Sequence, residues 1–360
     1  MKQRGFVLLL CACLTLTGCK GLPTAREMGD MALLRTMGVD SAGQEVQVTV
    51  STGPRAKGLQ AEGEAALVLS AKRESLSAAC LAMQSLSDSY VFYGYVDQLL
   101  LGEELAKAGI KPVLDYFARD VELGLGAQLW LIRGGTAGDA VSSGGDEGVE
   151  GRLSTLQTDG KLGVAAISRT AGEVYTDMME WGAAFVPALS SEGEEDASLS
   201  ESGYAVFTED KLAGYLEGEA ARGLEILAGR ASAEVLTVTI GDNLVSGKMI
   251  AASTVPKLTF EQGIPVGLKL NCRVDINVTE YRREMDQRER TVFRDELEKR
   301  LLARLEETLE SLQQWQADCV GLGFRAGMAH PGKWRAIEEE WPVWFGELEP
   351  ELALQVIVHD

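Results

Sequence analysis

Residues 93–134 read YGYVDQLLLGEELAKAGIKPVLDYFARDVELGLGAQLWLIRG. The apolar run over roughly 95–101 predicts a strand. GEELAKAGIKPVLDYFARD, 102–120, is built of helix formers and predicts one or two helices broken near Gly109 and Pro112, because proline cannot sit inside a helix without losing a hydrogen bond. LGAQLWLIRG, 125–134, returns as a strand. A strand, a helical connection and a second strand give a mixed α/β unit.

The same reading extends outward in both directions. QEVQVTVST, 44–52, alternates apolar and polar residues with the period of a strand. EAALVLSA, 64–71, is a second extended or mixed segment, and SLSAACLAMQSLSD, 75–88, has helical spacing. Downstream, GGTAGDAVSSGGDEGVEG, 134–151, carries seven glycines and little apolar bulk. It predicts a flexible loop. It lacks the Gly-Lys-Ser/Thr ending of a phosphate-binding loop and contributes acids in its place. SSEGEEDASLSES, 190–202, has five acids and no base, and predicts a solvated linker.

Beyond it, VLTVTI (235–240) and VGLKLNCRVDINV (266–278) predict strands. Val292, Leu297, Leu301, Leu305, Leu309, Leu312 and Cys319, with Leu302 and Trp315 beside them, recur mostly at steps of three and four. That spacing predicts a long amphipathic helix near the C-terminus, packed by one stripe. WRAIEEEW (334–341) suggests a short helix and LALQVIVH (352–359) a closing strand. The expected fold class is α+β: two or three mixed α/β domains, each with a mainly antiparallel or mixed sheet and packed helices. The expected divisions are a signal over 1–18, a domain over 19–189, an acidic linker over 190–203 and a domain over 204–360. A further split of the last near 256 is left open.

The N-terminus determines location. Lys2 and Arg4 precede an apolar stretch from Phe6 to Leu16, too short for a spanning helix, which needs roughly 20 apolar residues. Leu16-Thr17-Gly18-Cys19 resembles the bacterial lipobox, in which the cysteine sulfur takes a diacylglycerol and becomes the new N-terminus. Cys19 is thus the expected lipid-attachment residue, palmitate an expected acyl chain, and the outer face of a membrane the expected location. Two acyl chains hold a protein where one is marginal.

Composition narrows function. The formal net charge of −20 disfavours nucleic acid and anionic lipid headgroups as partners. Of six cysteines, Cys11 and Cys13 leave with the signal and Cys19 carries the lipid. Cys80, Cys272 and Cys319 form neither a disulfide framework nor a metal motif, although one bridge among them is left open. They are expected as small buried residues. The two histidines, His330 and His359, offer no nucleophile–base pattern, and no zinc spacing occurs. No catalytic residue, cofactor or metal site is expected, and the chain is not expected to be an enzyme.

Three stretches now carry a resemblance. Residues 93–134, then AVFTEDKLAGYLEGEAARGLEILAG (205–229), then Asp318-Cys319-Val320-Gly321-Leu322-Gly323 with Pro331-Gly332-Lys333-Trp334 and Trp341, are similar in order to the Ger(x)C family. These are C subunits of spore germinant receptors in endospore-forming bacteria. Arg26-Glu27-Met28-Gly29-Asp30-Met31-Ala32 resembles the family's start. Lys20 and Gly21 stand where the family commonly has Trp-Asp, and Tyr95 where it often has histidine. The resemblance implies a non-enzymatic, lipid-anchored subunit in the spore inner membrane, partnered by integral-membrane A and B subunits in nutrient-triggered germination. It leaves open whether this subunit touches the germinant. The alternative is a lipid-anchored solute-binding protein of a transporter.

Overall fold

The computed structural model describes residues 31–54, 65–192, 198–230 and 233–359. The stretch 93–134 folds as strand, two helices, strand: β6 (Gln98–Gly102), α2 (Glu103–Ala108), α3 (Lys111–Arg119) and β7 (Gln128–Ile132), numbered by their place in the chain. The break falls where expected. Gly109 ends α2 with φ 132°, a value open to glycine alone, and Pro112 sits in the first turn of α3. β6 and β7 pair in parallel, Leu99 opposite Leu129 and Leu101 opposite Leu131, and every residue of both strands is buried. Burial on both faces is why these strands read as continuous apolar runs without alternation.

Around this pair, β1 (Met31–Leu33), β2 (Thr36–Ala42), β3 (Glu45–Ser51), β4 (Val68–Arg73), α1 (Leu76–Met83) and β5 (Tyr90–Phe92) come before, and α4 (Ala137–Ser142), α5 (Glu150–Lys161), α6 (Ala171–Trp181), β8 (Ala183–Glu192), β9 (Ser198–Thr208) and β10 (Lys211–Leu216) after. β1 and β5 form a two-stranded parallel pair. The main sheet has eight strands in the order β10-β9-β8-β7-β6-β2-β3-β4. Its faces follow the period-two alternation of a strand. Leu99 and Leu101 join Val113, Phe117 and Val174 in one core. Leu100 and Trp130 join Val141, Leu153 and Leu156 in another.

Two expectations are corrected here. The glycine-rich stretch 134–151 is not a loop throughout: it contains α4 and the start of α5. Thr136 caps α4, accepting from the Asp139 N–H at 3.0 Å. Asp40 on β2 supplies the non-local part, accepting from Ala137 N–H at 2.7 Å and Gly138 N–H at 2.8 Å. Gly38 lets the helix close on the strand, since a Cβ there would lie 2.9 Å from the Ala137 carbonyl oxygen. The described ends of the acidic tract expected as a linker, 190–192 and 198–203, are strand and belong to one sheet. β8 and β9 pair antiparallel across it, from Ala183 opposite Thr208 to Glu192 opposite Ser198. The eight-stranded sheet therefore crosses the expected boundary and takes β9 and β10 from beyond it.

The C-terminal part opens with α7 (Gly218–Leu227), followed by β11 (Val235–Ile240), β12 (Asn243–Glu261), β13 (Ile264–Tyr281), α8 (Gln287–Gln314), α9 (Leu322–Gly327), α10 (Pro331–Trp334), α11 (Trp341–Glu347) and β14 (Pro350–His359). The second sheet has the order β11-β12-β13-β14, with β12 antiparallel and β14 parallel to β13. No division falls at 256: Pro256 lies inside β12, opposite Leu270. β11 reaches only as far as Lys248, so β12 is an edge strand at Pro256 and loses nothing by lacking an N–H there.

The long helix is α8. Asp286 and Glu289 form a capping box at its start. Its buried stripe is Phe293, Leu297, Leu301, Leu305, Leu309 and Leu312. Phe293 replaces the expected Val292, which is exposed. Cys319 is buried but follows the helix. Phe185, Tyr204, Val206 and Leu216 from the first sheet share one core with this stripe. The two sheets are therefore packed on common side chains.

Candidate interaction surface

The sequence-predicted residues are dispersed. Cys19 lies outside the described residues. Cys80, Cys272 and Cys319 are free and buried, and burial pushes each thiol up. His330 precedes α10, its ring edge-on to Phe260 at 6.0 Å. His359 ends β14 and bonds Asp275 Oδ1 at 2.8 Å. Among the described residues no group of histidine, cysteine and acidic side chains could hold a metal, and no helix is long and apolar enough to cross a membrane.

The stretches singled out in sequence meet one another. Glu103 at the start of α2 accepts from Gly134 N–H at 2.5 Å and from the Tyr215 hydroxyl at 3.0 Å. Arg133 lies 4.7 Å over the Tyr215 ring and pairs with Glu217 at 2.6 Å. The Ile110 N–H donates to the Asp210 carbonyl at 2.8 Å. Residues 102–134 and 205–229 thus form one seam. A further seam follows α8, where the fully buried Arg304 pairs with Glu234 at 2.6 Å and with Glu219.

The third stretch builds a corner. Asp318 accepts from Leu322 N–H and Gly323 N–H, both at 2.7 Å, and from Trp341 Nε1 at 2.9 Å. Burial raises its pKa, against the pull of these three donors. Gly321 turns the chain at φ 65°. Gly323 and Gly327 are seats for the Trp341 and Trp334 rings, where a Cβ would come within 2.0 and 2.4 Å. The motif is a packing device.

A polar cavity of about 290 Å³ sits where β9 meets α7, lined by Glu201, Ser202, Tyr204, Glu217, Arg222 and Glu225. Its charges are largely answered from within. Glu225 accepts from the Tyr204 hydroxyl at 2.8 Å and from Arg222 at 3.0 Å, and Glu201 accepts from Ala166 N–H at 2.8 Å. Burial raises the Glu201 pKa. The cavity belongs to the joint between the two sheets.

One of the sheet edges among the described residues lies elsewhere. β14 pairs only with β13, so its far edge is the end of the sheet. α8 runs alongside: Glu298 Oε1 accepts from Val356 N–H at 3.4 Å, and Glu306, Leu309, Glu310 and Gln313 face Pro350 and Leu352 across a groove of about 490 Å³. The alternation of LALQVIVH predicted the strand. That it would lie at an edge beside acids at 298, 306 and 310 could not be read from one segment.

Two families match the chain in tandem. The one described as "Spore germination protein N-terminal domain" matches residues 24–191, and "Spore germination B3/ GerAC like, C-terminal" matches residues 202–359. No curated protein matches. A solved structure titled "Crystal Structure of the GerBC protein" is similar over 90% of this chain and 97% of its own, with TM-score 0.61 and 16% identity. That identity carries the fold alone. The two domain matches cover the seams and the Trp–Gly corner just described, in the order the sequence blocks require, and the chain belongs to the Ger(x)C family of spore germination proteins.

Proposed function

We propose that the protein is the lipid-anchored C subunit of a spore germinant receptor, held on the outer face of the spore inner membrane through Cys19 and working with integral-membrane A and B subunits. The observation that carries this reading is the pair of tandem family matches over 24–191 and 202–359. The lipobox-like Leu16-Thr17-Gly18-Cys19 supports the anchor. A fold whose motif residues are spent on packing supports a subunit that works by contact.

The reading is tested in spores lacking the gene. They lose the response to one class of nutrient and still germinate with a trigger that bypasses receptors. The anchor is tested separately, by loss of palmitate labelling in Cys19→Ala.

A further inference from the structure

We infer that the free edge of β14 is a docking site for an extended, basic segment of a partner protein, which adds to the second sheet as a fifth strand. The edge is ten residues long and straight in register, Leu268 opposite Pro350 through Asn277 opposite His359, with no bulge to twist it away. Long unprotected edges invite strand pairing. Because the Val356 N–H points outward to Glu298, the two-residue period of a strand aims the N–H and C=O groups of Leu352, Leu354 and Val358 the same way. Among the described residues no backbone group answers them.

The charge of the groove selects the occupant. Glu306 and Glu310 of α8 form its wall with Leu309 at the base, while Glu298, further toward the helix start, is paired with Arg294 at 3.9 Å. Glu306 and Glu310 are exposed, and among the described residues neither makes an ion pair. An incoming strand lying beside β14 turns alternate side chains toward this wall. Apolar residues there meet Leu309 and Leu352, and Lys or Arg residues meet the carboxylates. A second copy of this chain fits badly, because pairing two β14 edges about a twofold axis brings two acidic walls together.

This rests on the receptor-subunit reading only for the protein that carries the segment. The site itself is tested on the purified mature protein with two synthetic peptides of alternating valine and charged residues, one with lysine and one with glutamate. The lysine peptide should bind at least tenfold tighter, weaken with salt, and slow amide exchange at Leu352, Leu354 and Val358. Glu306→Lys with Glu310→Lys, both on the exposed helix face, should reduce binding at least tenfold. Leu354→Pro, which removes an outward N–H, should do so without charge change. Equal binding of the two peptides, no binding, or binding without protection of β14 would overturn the proposal. A dimer in sedimentation that protects the same amides would also overturn it, since the occupant would then be a second copy. Normal nutrient response in deletion spores would count against the receptor reading and leave these peptide results unaffected.

Discussion

The Trp341 indole N–H donates to Asp318 Oδ2 at 2.9 Å, while the same carboxylate caps the first turn of α9. One buried side chain thus answers three donors. Asp318→Ala leaves all three in a dry corner. At about 1–3 kcal/mol for each unanswered buried group, partly relaxed, we expect a loss of about 3 kcal/mol. Trp341→Phe removes one donor together with the part of the indole that packs over Gly323, and should cost about 2 kcal/mol. Urea unfolding of the two variants measures both, and an Asp318→Ala loss below that of Trp341→Phe contradicts the capping role.

Gly323 and Gly321 are needed for different reasons. A methyl at Gly323 meets the Trp341 ring, whereas Gly321 is held at φ 65°. Gly321→Ala should cost about 1 kcal/mol for the left-handed backbone. Gly323→Ala should cost more, since overpacking against a fixed ring runs to about 1–3 kcal/mol. Near-ultraviolet circular dichroism should report a larger tryptophan displacement in Gly323→Ala, whose Cβ would lie 2.0 Å from the Trp341 ring, than in Gly321→Ala, whose Cβ would lie 3.3 Å from the Trp181 ring.

Arg304 is 1% exposed while its partners Glu234 and Glu219 are 18% and 47% exposed at the side chain. Arg304→Met leaves the Glu234 carboxylate half-sheltered without its partner, at an expected cost of about 3 kcal/mol, the Glu219 half being screened by solvent. Arg304→Lys should recover part of this and not all, because an ammonium cannot fork to both carboxylates. Denaturant midpoints for the two variants decide it.

Asp275 has its pKa lowered to about 2, first by its hydrogen bond with Arg273 and then by His359. A lowered carboxylate stabilises the fold above its unfolded value near 3.8 and loses that contribution as pH falls toward 2. Between pH 4 and 2 the melting temperature of the wild type should fall more steeply than that of Asp275→Asn. Parallel curves would show that the pair contributes nothing to stability.

Legibility in the sequence followed how local each cause is. β6, α2, α3 and β7 were readable because apolar run, glycine and proline lie within a few residues of what they determine. α4 was not, because its N-terminus is held by Asp40, ninety-seven residues away along the chain from Ala137. The pairing of β8 with β9 was hidden by the acids between and beside them in the sequence, and β12 by Pro256, acceptable only because β11 stops short of it. The motif stretches identified the family, yet their role in packing Gly323 under Trp341 needed the structure. The β14–α8 groove joins two segments that are each ordinary alone.

The shared sheet also alters what a cut chain should do. Residues 204–359 alone lose β8, to which β9 pairs from Ala183 to Pro187. We expect fragments 31–189 and 204–359 to be unstable apart and to reassociate when coexpressed. Cooperative melting of each fragment by itself would show two independent domains.

The central claim is tested most directly by the loss of refractility of spores after nutrient addition, in a strain with no second receptor of this kind. Spores lacking the gene, or carrying a chain truncated after residue 203, should stay bright with one class of nutrient while growth, sporulation and receptor-independent germination are normal. His330→Ala and His359→Ala spores should respond like the wild type. Deletion spores that darken normally with every nutrient would contradict the assignment.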